Sequence, residues 1–255
     1  MHKKPFKVDA SWLQRIKEKF GLKNPPKVTV KCRSFKRNVR GRYKLDAAGA
    51  DIYECSESLL PKGYFDSAVG TFRDTYRQLW KDTQKGSHLK LYLMEVYVTL
   101  GQVDMPAGYN WLISGVLKTG ERYCAICDVM VWEIFRGCGL MTLLKREEIE
   151  WARQQKCDFI QTWHVAENPD FNSAIIPSLK KGFVLYHGLD DGEYEESGCI
   201  HLRYYFDQRK IHNVQVLFRD GKVLQSPRQN GSIIKHLLKF KKYPGKSILQ
   251  IKDIE

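Results

Sequence analysis

Val131-Trp132-Glu133-Ile134-Phe135-Arg136-Gly137-Cys138-Gly139-Leu140-Met141 lies at the centre of the segment Arg122 to Gly182, and its reading decides the fold. The apolar run Tyr123 to Phe135 predicts a strand, and Leu140 to Gln155 has helical composition; two glycines lie between them. A strand, a tight turn and a helix in that order aim several free backbone N–H groups at one point. The helix dipole adds partial positive charge there, so an anion such as a pyrophosphate is a natural guest. Gly137 and Gly139 let the backbone come close to it.

Downstream, Trp151-Ala152-Arg153 closes the helix, Phe159 to Val165 reads as the next strand, and Asn172 to Phe183 has the form N, A, then K-x-G-F. With Val131, Phe135, Arg136, Gly137 and Gly139, this order resembles the GNAT superfamily of acyl-CoA-dependent N-acetyltransferases, in which a strand ends in V-x-P-x-Y-R-G-x-G-x-G/A. The resemblance covers residues 89–206. Glu133 replaces the family's proline, Met141 stands at its last Gly/Ala, and Ser178 stands where many members carry the tyrosine that protonates the departing thiolate.

The resemblance implies an α/β (α+β) fold with a mixed, mostly antiparallel central sheet, a splayed strand pair and flanking helices. It implies acetyl-CoA or another acyl-CoA as cofactor. Val129, Met130 and Val131 would pair with the pantetheine arm, with the Met130 N–H as oxyanion donor. Arg136, Gly137, Cys138, Gly139, Leu140, Met141 and Thr142 would surround the pyrophosphate, with Asn168 and Asn172 as further cofactor contacts.

Acyl transfer to an amine needs a base, because the amine attacks while neutral. Asp128 is the best-placed carboxylate, eight residues before Arg136 and alternating with Met130 and Trp132; a structural acid within the sheet is the other reading. His164 on the next strand is a relay candidate or simply a satisfied polar group, with Glu167 a weaker candidate. Ser178 and Tyr186 are the candidate proton donors to the thiolate.

Composition sets the bounds. A chain of 255 residues with 43% apolar content buries a core in one large or two small domains. No apolar run reaches the length of a membrane span, and the start lacks the apolar stretch of a secretory signal. Seven scattered cysteines suggest reduced thiols and a cytoplasmic setting. Cys124-x-x-Cys127 has zinc-like spacing without a second pair, so both read as core cysteines and no metal is expected.

Charge is the second signal. Residues 1–45 carry 15 Lys plus Arg against 2 acids, and residues 208–255 carry 11 against 3, while the middle is net −8. The chain thus divides into a basic extension (1–45), an acyltransferase-like core (46–207) and a basic hairpin-and-helix extension (208–255). Basic flanks suit a polyanion such as DNA or RNA, or a protein bound to one; a well-solvated surface is the plainer reading. Arg33, Lys36, Arg37, Arg40 and Arg42, with Phe35 and Tyr43 nearby, and Lys239, Lys241 and Lys242 are the nucleic-acid candidates. The acidic turn Asp190 to Glu196 would instead attract a cationic substrate or act as a solvated loop.

Elsewhere the pattern predicts an opening helix with Trp12, Leu13, Ile16 and Phe20 on one side, Asp9 as its cap and Gly21 at its end. Strands are expected at 27–35, 89–99 and 109–117, a helix at 65–82 and a turn-rich stretch at 101–108. The tail reads as a hairpin around Asp220-Gly221, then a basic helix capped by Ser232. The functional expectation is an N-acyltransferase acting on a nucleic acid or a nucleic-acid-associated protein, of which Mom-type phage DNA-modification proteins are one concrete version. Protein-lysine or small-amine acetylation is the alternative within the class; a non-catalytic binding module on the same fold is the alternative outside it.

Overall fold

The computed structural model describes residues 10–34, 90–117, 119–186 and 198–254. The predicted helix at 65–82, the acidic turn, Asp9, Lys36, Arg37, Arg40 and Arg42 lie outside them. The chain forms two compact units, 1–115 with 127–144 and 116–126 with 145–255. No helix among the described residues is long and apolar enough to cross a membrane.

The first unit is built from α1 (Ala10–Lys19), β1 (Lys27–Ser34), β2 (Lys90–Leu100), most of β3 (Val103–Val116) and the second half of β4 (Arg122–Val131). Antiparallel pairing joins β1 to β2 from Lys27↔Thr99 to Ser34↔Tyr92. It joins β2 to β3 from Lys90↔Ser114 to Leu100↔Val103. The expected turn-rich stretch at 101–108 is therefore mostly strand. Only Gly101 and Gln102 turn the hairpin, Gly101 at φ +65°, as a two-residue connection between right-twisted strands requires. Pro106 and Gly108, which read as breakers, flank a bulge where Val96 pairs with Gly108 and Tyr97 with Pro106. Val96, Tyr97, Val98, Tyr109, Trp111 and Leu112 are all at most 1% exposed, so these strands are covered on both faces.

The second unit contains β5 (Phe159–Val165), α3 (Phe171–Lys180), β6 (Val184–Tyr186) and β7 (Cys199–Tyr205). β5 runs parallel to the first half of β4, from Tyr123↔Phe159 to Ile126↔Thr162, and antiparallel to β7, which also pairs with β6. Helix α2 (Leu140–Gln154) enters this unit from Lys145 onward. The tail adds β8 (Val214–Phe218), β9 (Val223–Ser226), α4 (Asn230–Leu237) and β10 (Ile248–Asp253). The hairpin forms with Gly221 at φ +82°, but a third strand that sequence reading missed, β10, joins it in the order β10-β8-β9. The helix begins before Ser232, because the Gln229 carbonyl already accepts the N–H groups of Ser232 and Ile233, both at 2.9 Å.

This tail is docked. Asn230 Nδ2 donates to Phe183 O at 2.9 Å, the Leu185 N–H to Ser226 Oγ at 3.2 Å, and Asn172 Nδ2 to Leu237 O at 3.2 Å. A Cβ on Gly245 would lie 2.6 Å from Ala166 Cα, which marks how closely the backbones meet.

Candidate active site

In the first unit, β4 stops at Val131, four residues earlier than its apolar run suggests. The Trp132 N–H makes a last sheet-like bond to Ala107 O at 3.0 Å. The Trp132 carbonyl then accepts the Phe135 N–H at 2.8 Å, which winds Glu133–Phe135 into a 3-10 turn. Arg136 N–H closes it on Glu133 O at 3.0 Å, and Arg136 Nε turns back to Val131 O at 3.2 Å. Arg136 thus braces the strand end with its side chain.

Gly137 and Gly139 both sit at φ +80°. Gly137 is there for conformation alone, since a Cβ would meet nothing within 4 Å. At Gly139 a Cβ would lie 2.5 Å from Trp12 Cδ1, so backbone angle and close approach both demand glycine. Cys138 is 2% exposed, and burial raises its thiol pKa against the lowering pull of Lys19 and Arg15. The first-turn N–H groups of α2, including Leu140, Met141 and Thr142, follow directly; Leu140 is buried while Met141 and Thr142 are half-buried. The turn therefore sets two glycines at positive φ between a strand end and the first turn of a helix, with Met141 in that first turn.

Upstream, Asp128 is half-buried on β4, and the Tyr109 hydroxyl donates to its Oδ2 at 3.0 Å. Tyr109 is 1% exposed and stacks edge-on against Trp132 at 5.8 Å. Sequence reading missed this tyrosine, whose only signal was its place in an alternating strand. Val129 and Met130 are half-buried, Val131 is 7% exposed, and all three lie past Ile126, where the ladder with β5 ends. Gly108 sits under them: a Cβ there would lie 2.5 Å from Met130 O and 3.2 Å from Val131 Cα.

In the second unit, His164 on β5 is 7% exposed, with its ring edge-on to Phe171 at 6.2 Å. Burial first, then the charges of Lys145 and His201, push its pKa down to about 3, so the imidazole stays neutral. Lys145 and Glu148 form an ion pair at 3.1 Å with both side chains at 0% exposure. Ser178 is at 0% exposure on the inner side of α3, its Oγ without a hydrogen-bond partner among the described residues. Tyr186 is half-buried, with the Arg203 guanidinium 3.8 Å from its ring centre. Asn172 spends its amide on the tail, Asn168 is exposed with Oδ1 accepting the Asp170 N–H at 2.8 Å, and Glu167 pairs with Lys246.

Among the candidate nucleic-acid residues, Lys239, Lys241 and Lys242 are exposed just after α4, and Arg33 lies on β1 opposite Leu93.

Residues 62–174 match the family described as Acetyltransferase (GNAT) family. No curated protein matches the chain. Among solved structures, the chain is similar to the NatC complex bound to Gag peptide and CoA, with 15% identity, TM-score 0.43, and coverage of 70% of this chain and 99% of that one. It is also similar to Arabidopsis thaliana NAA60 in complex with acetyl-CoA, with 14% identity, TM-score 0.41 and coverage of 70% and 99%. For a Bacillus subtilis acetyltransferase in complex with CoA the values are 15%, 0.37, 70% and 100%. These scores are low, and the likeness in sequence is confined to residues 62–174, less than half of the chain, which match the acetyltransferase (GNAT) family.

Proposed function

We propose that the protein moves an acetyl or related acyl group from acyl-CoA to an amine carried by a nucleic acid or by a protein bound to one. The observation that carries the acyl-CoA half is the turn from Arg136 to Thr142, with two glycines at φ +80° between a strand end and a helix start. Acyl-CoA supplies a thioester carbonyl; the chain's own groups position it and move protons.

Asp128 takes the proton of the attacking amine. Its half-buried setting and its bond from Tyr109 hold the carboxylate in one orientation, as a positioned base requires. The Met130 N–H, beyond the end of the β4–β5 ladder, stabilises the developing oxyanion. Within the second unit, burial holds His164 neutral, the state in which an imidazole can pass a proton from one ring nitrogen to the other. Of the two thiolate donors, Tyr186 is the better acid, since Ser178 offers only a buried aliphatic hydroxyl.

Charge supports the acceptor. Residues 1–45 and 208–255 carry net charges of +13 and +8, and Lys239, Lys241 and Lys242 are held on the surface of a docked tail. Cation clusters of this kind bind phosphate backbones through counterion release. Seven cysteines scattered along the sequence suit a reducing compartment such as the cytoplasm. A nucleobase amine, as in Mom-type DNA modification, is the most specific form of this reading.

The test offers radiolabelled acetyl-CoA with single- and double-stranded DNA, RNA, basic peptides and polyamines. Label on nucleic acid, or on protein only when nucleic acid is present, is the expected result. Label on free polyamines or peptides at a rate that polyanions leave unchanged refutes this acceptor while leaving acyl transfer intact. Label on nothing, from well-folded protein that also fails to bind acetyl-CoA, refutes the whole reading.

A further inference from the structure

Helix α1 lies outside the segment that matches the acetyltransferase family, yet it packs on the turn to which that family's cofactor is assigned. Three contacts fix it there. Trp12 lies against Gly139, Lys19 Nζ donates to Arg136 O at 2.9 Å, and the rings of Phe20 and Phe135 are 5.2 Å apart. Ile16, between them on the same face, is at 0% exposure. Helical spacing places Arg15 and Lys19 one turn apart on the flank of that face, and both are exposed. Both lie close enough to buried Cys138, in the middle of the turn, to pull its thiol pKa down against the raising effect of burial.

The turn offers a phosphate its backbone dipoles, and the Nε of Arg136 is committed to Val131 O at 3.2 Å. A diphosphate with a further phosphate nearby carries several negative charges, and side-chain cations at the rim are the missing complement. We propose that α1 is a cofactor-binding element, in which Arg15 and Lys19 hold the phosphate groups of an acyl-CoA while Trp12 fixes the helix on Gly139. This rests on the acyl-CoA reading of the turn and adds to it a part of the site that comes from outside the matched segment.

The experiment is a calorimetric titration of full-length protein with CoA at low and at moderate salt. It compares wild type, Arg15→Ala/Lys19→Ala and a control, Lys23→Ala, whose exposed side chain lies beyond the helix. Lys19→Ala gives up one of the three contacts that hold α1, so circular dichroism and Trp12 fluorescence of each variant verify that the helix is formed and still docked. The expected result is a loss of about tenfold in affinity for the double variant, larger at low salt, with the control within twofold of wild type. CoA binding by wild type that the double variant retains, or improves on, overturns the role of α1 and leaves the acyl-CoA reading standing. Improved binding would make the helix a plug over the turn. No CoA binding by folded wild type overturns both.

Discussion

Gly108 is where a single methyl group tests the placement of the reacting carbonyl. An ideal Cβ at this position would stand 2.5 Å from Met130 O and 3.2 Å from Val131 Cα, both backbone atoms that cannot swing aside. Carbon and oxygen at rest need about 3.4 Å, so in Gly108→Ala the end of β4 must retreat from β3 by roughly 1 Å. Overpacking of this kind costs about 1–3 kcal/mol of stability. The effect on rate is larger, because Met130 carries the N–H assigned to the oxyanion, and a 1 Å misplacement costs on the order of 10²-fold. The assay is release of CoA thiol under saturating acceptor, with urea unfolding alongside. The expected result is kcat lowered about a hundredfold in protein that is still folded at the assay temperature. Activity within twofold of wild type would refute the assignment of the oxyanion donor to this stretch of β4. Gly231→Ala is the matched control: its Cβ would enter open space in α4, so it should leave activity unchanged and add about 0.5–1 kcal/mol of stability.

His164 should give the protein an acid limb. Its pKa is about 3 in the fold against 6.5 when unfolded, so below 6.5 the unfolded chain binds a proton that the folded chain refuses, and stability falls as pH drops toward 3. Each unit costs about 1.4 kcal/mol, so the loss between pH 7 and 4.5 should be about 2–3 kcal/mol greater in wild type than in His164→Met, measured by urea unfolding. Equal losses would show that the ring is not buried neutral. Lys145→Met alone should destabilise by about 3–5 kcal/mol, because it strands Glu148 at 0% exposure, whereas Lys145→Met/Glu148→Leu should recover most of the loss. Gly139→Ala should destabilise through its φ of +80° and its clash with Trp12. In a double-mutant cycle with Trp12→Ala the two losses should fall short of additive by about 1 kcal/mol, and strict additivity would mean that the contact is not made. Asn230→Ala removes the donor to Phe183 O and the acceptor of Ser226 Oγ, and should cost about 1–3 kcal/mol and open residues 208–255 to limited proteolysis at unchanged core resistance.

The central turn was legible because its chemistry is local. Two glycines between an apolar run and a helical pattern constrain the backbone over a dozen residues, and Gly137 and Gly139 adopt the positive φ that this requires. What was not legible depends on distant partners. The apolar run to Phe135 continues as if it were strand, but the Trp132 carbonyl is captured by Phe135, and no periodicity reports that competition. Pro106 and Gly108 carry the composition of a loop, and only their pairing with Tyr97 and Val96 across a bulge makes them strand. Tyr109 as the partner of Asp128, and Trp12 as the cover of Gly139, join residues 19 and 127 positions apart. Local sequence pattern carries no signal for such pairs.

The tail shows how charge and packing can be separated. Its 11 basic residues in 48 suit a polyanion and leave docking on the core equally open, and its contacts are those of a supporting element. Ile233 and Leu237 of α4 and Val214, Val216 and Phe218 of β8 are all at 0% exposure, and the rings of His236 and Phe218 are 4.1 Å apart. Gly245 is wedged against Ala166 one residue beyond β5, and the Leu237 carbonyl takes the Asn172 amide at the start of α3. The end of β5, which carries His164, and the first turn of α3 are thus braced by residues some 70 positions downstream. Removing the tail should therefore loosen this part of the second unit before it removes any charge-dependent binding. Neutralising Lys239, Lys241 and Lys242 in place is the cleaner test of the charge: Lys→Gln at all three exposed sites should weaken nucleic-acid binding and flatten its salt dependence while leaving CoA affinity and the urea midpoint unchanged. Unaltered salt dependence in that variant would return the tail to a purely structural role.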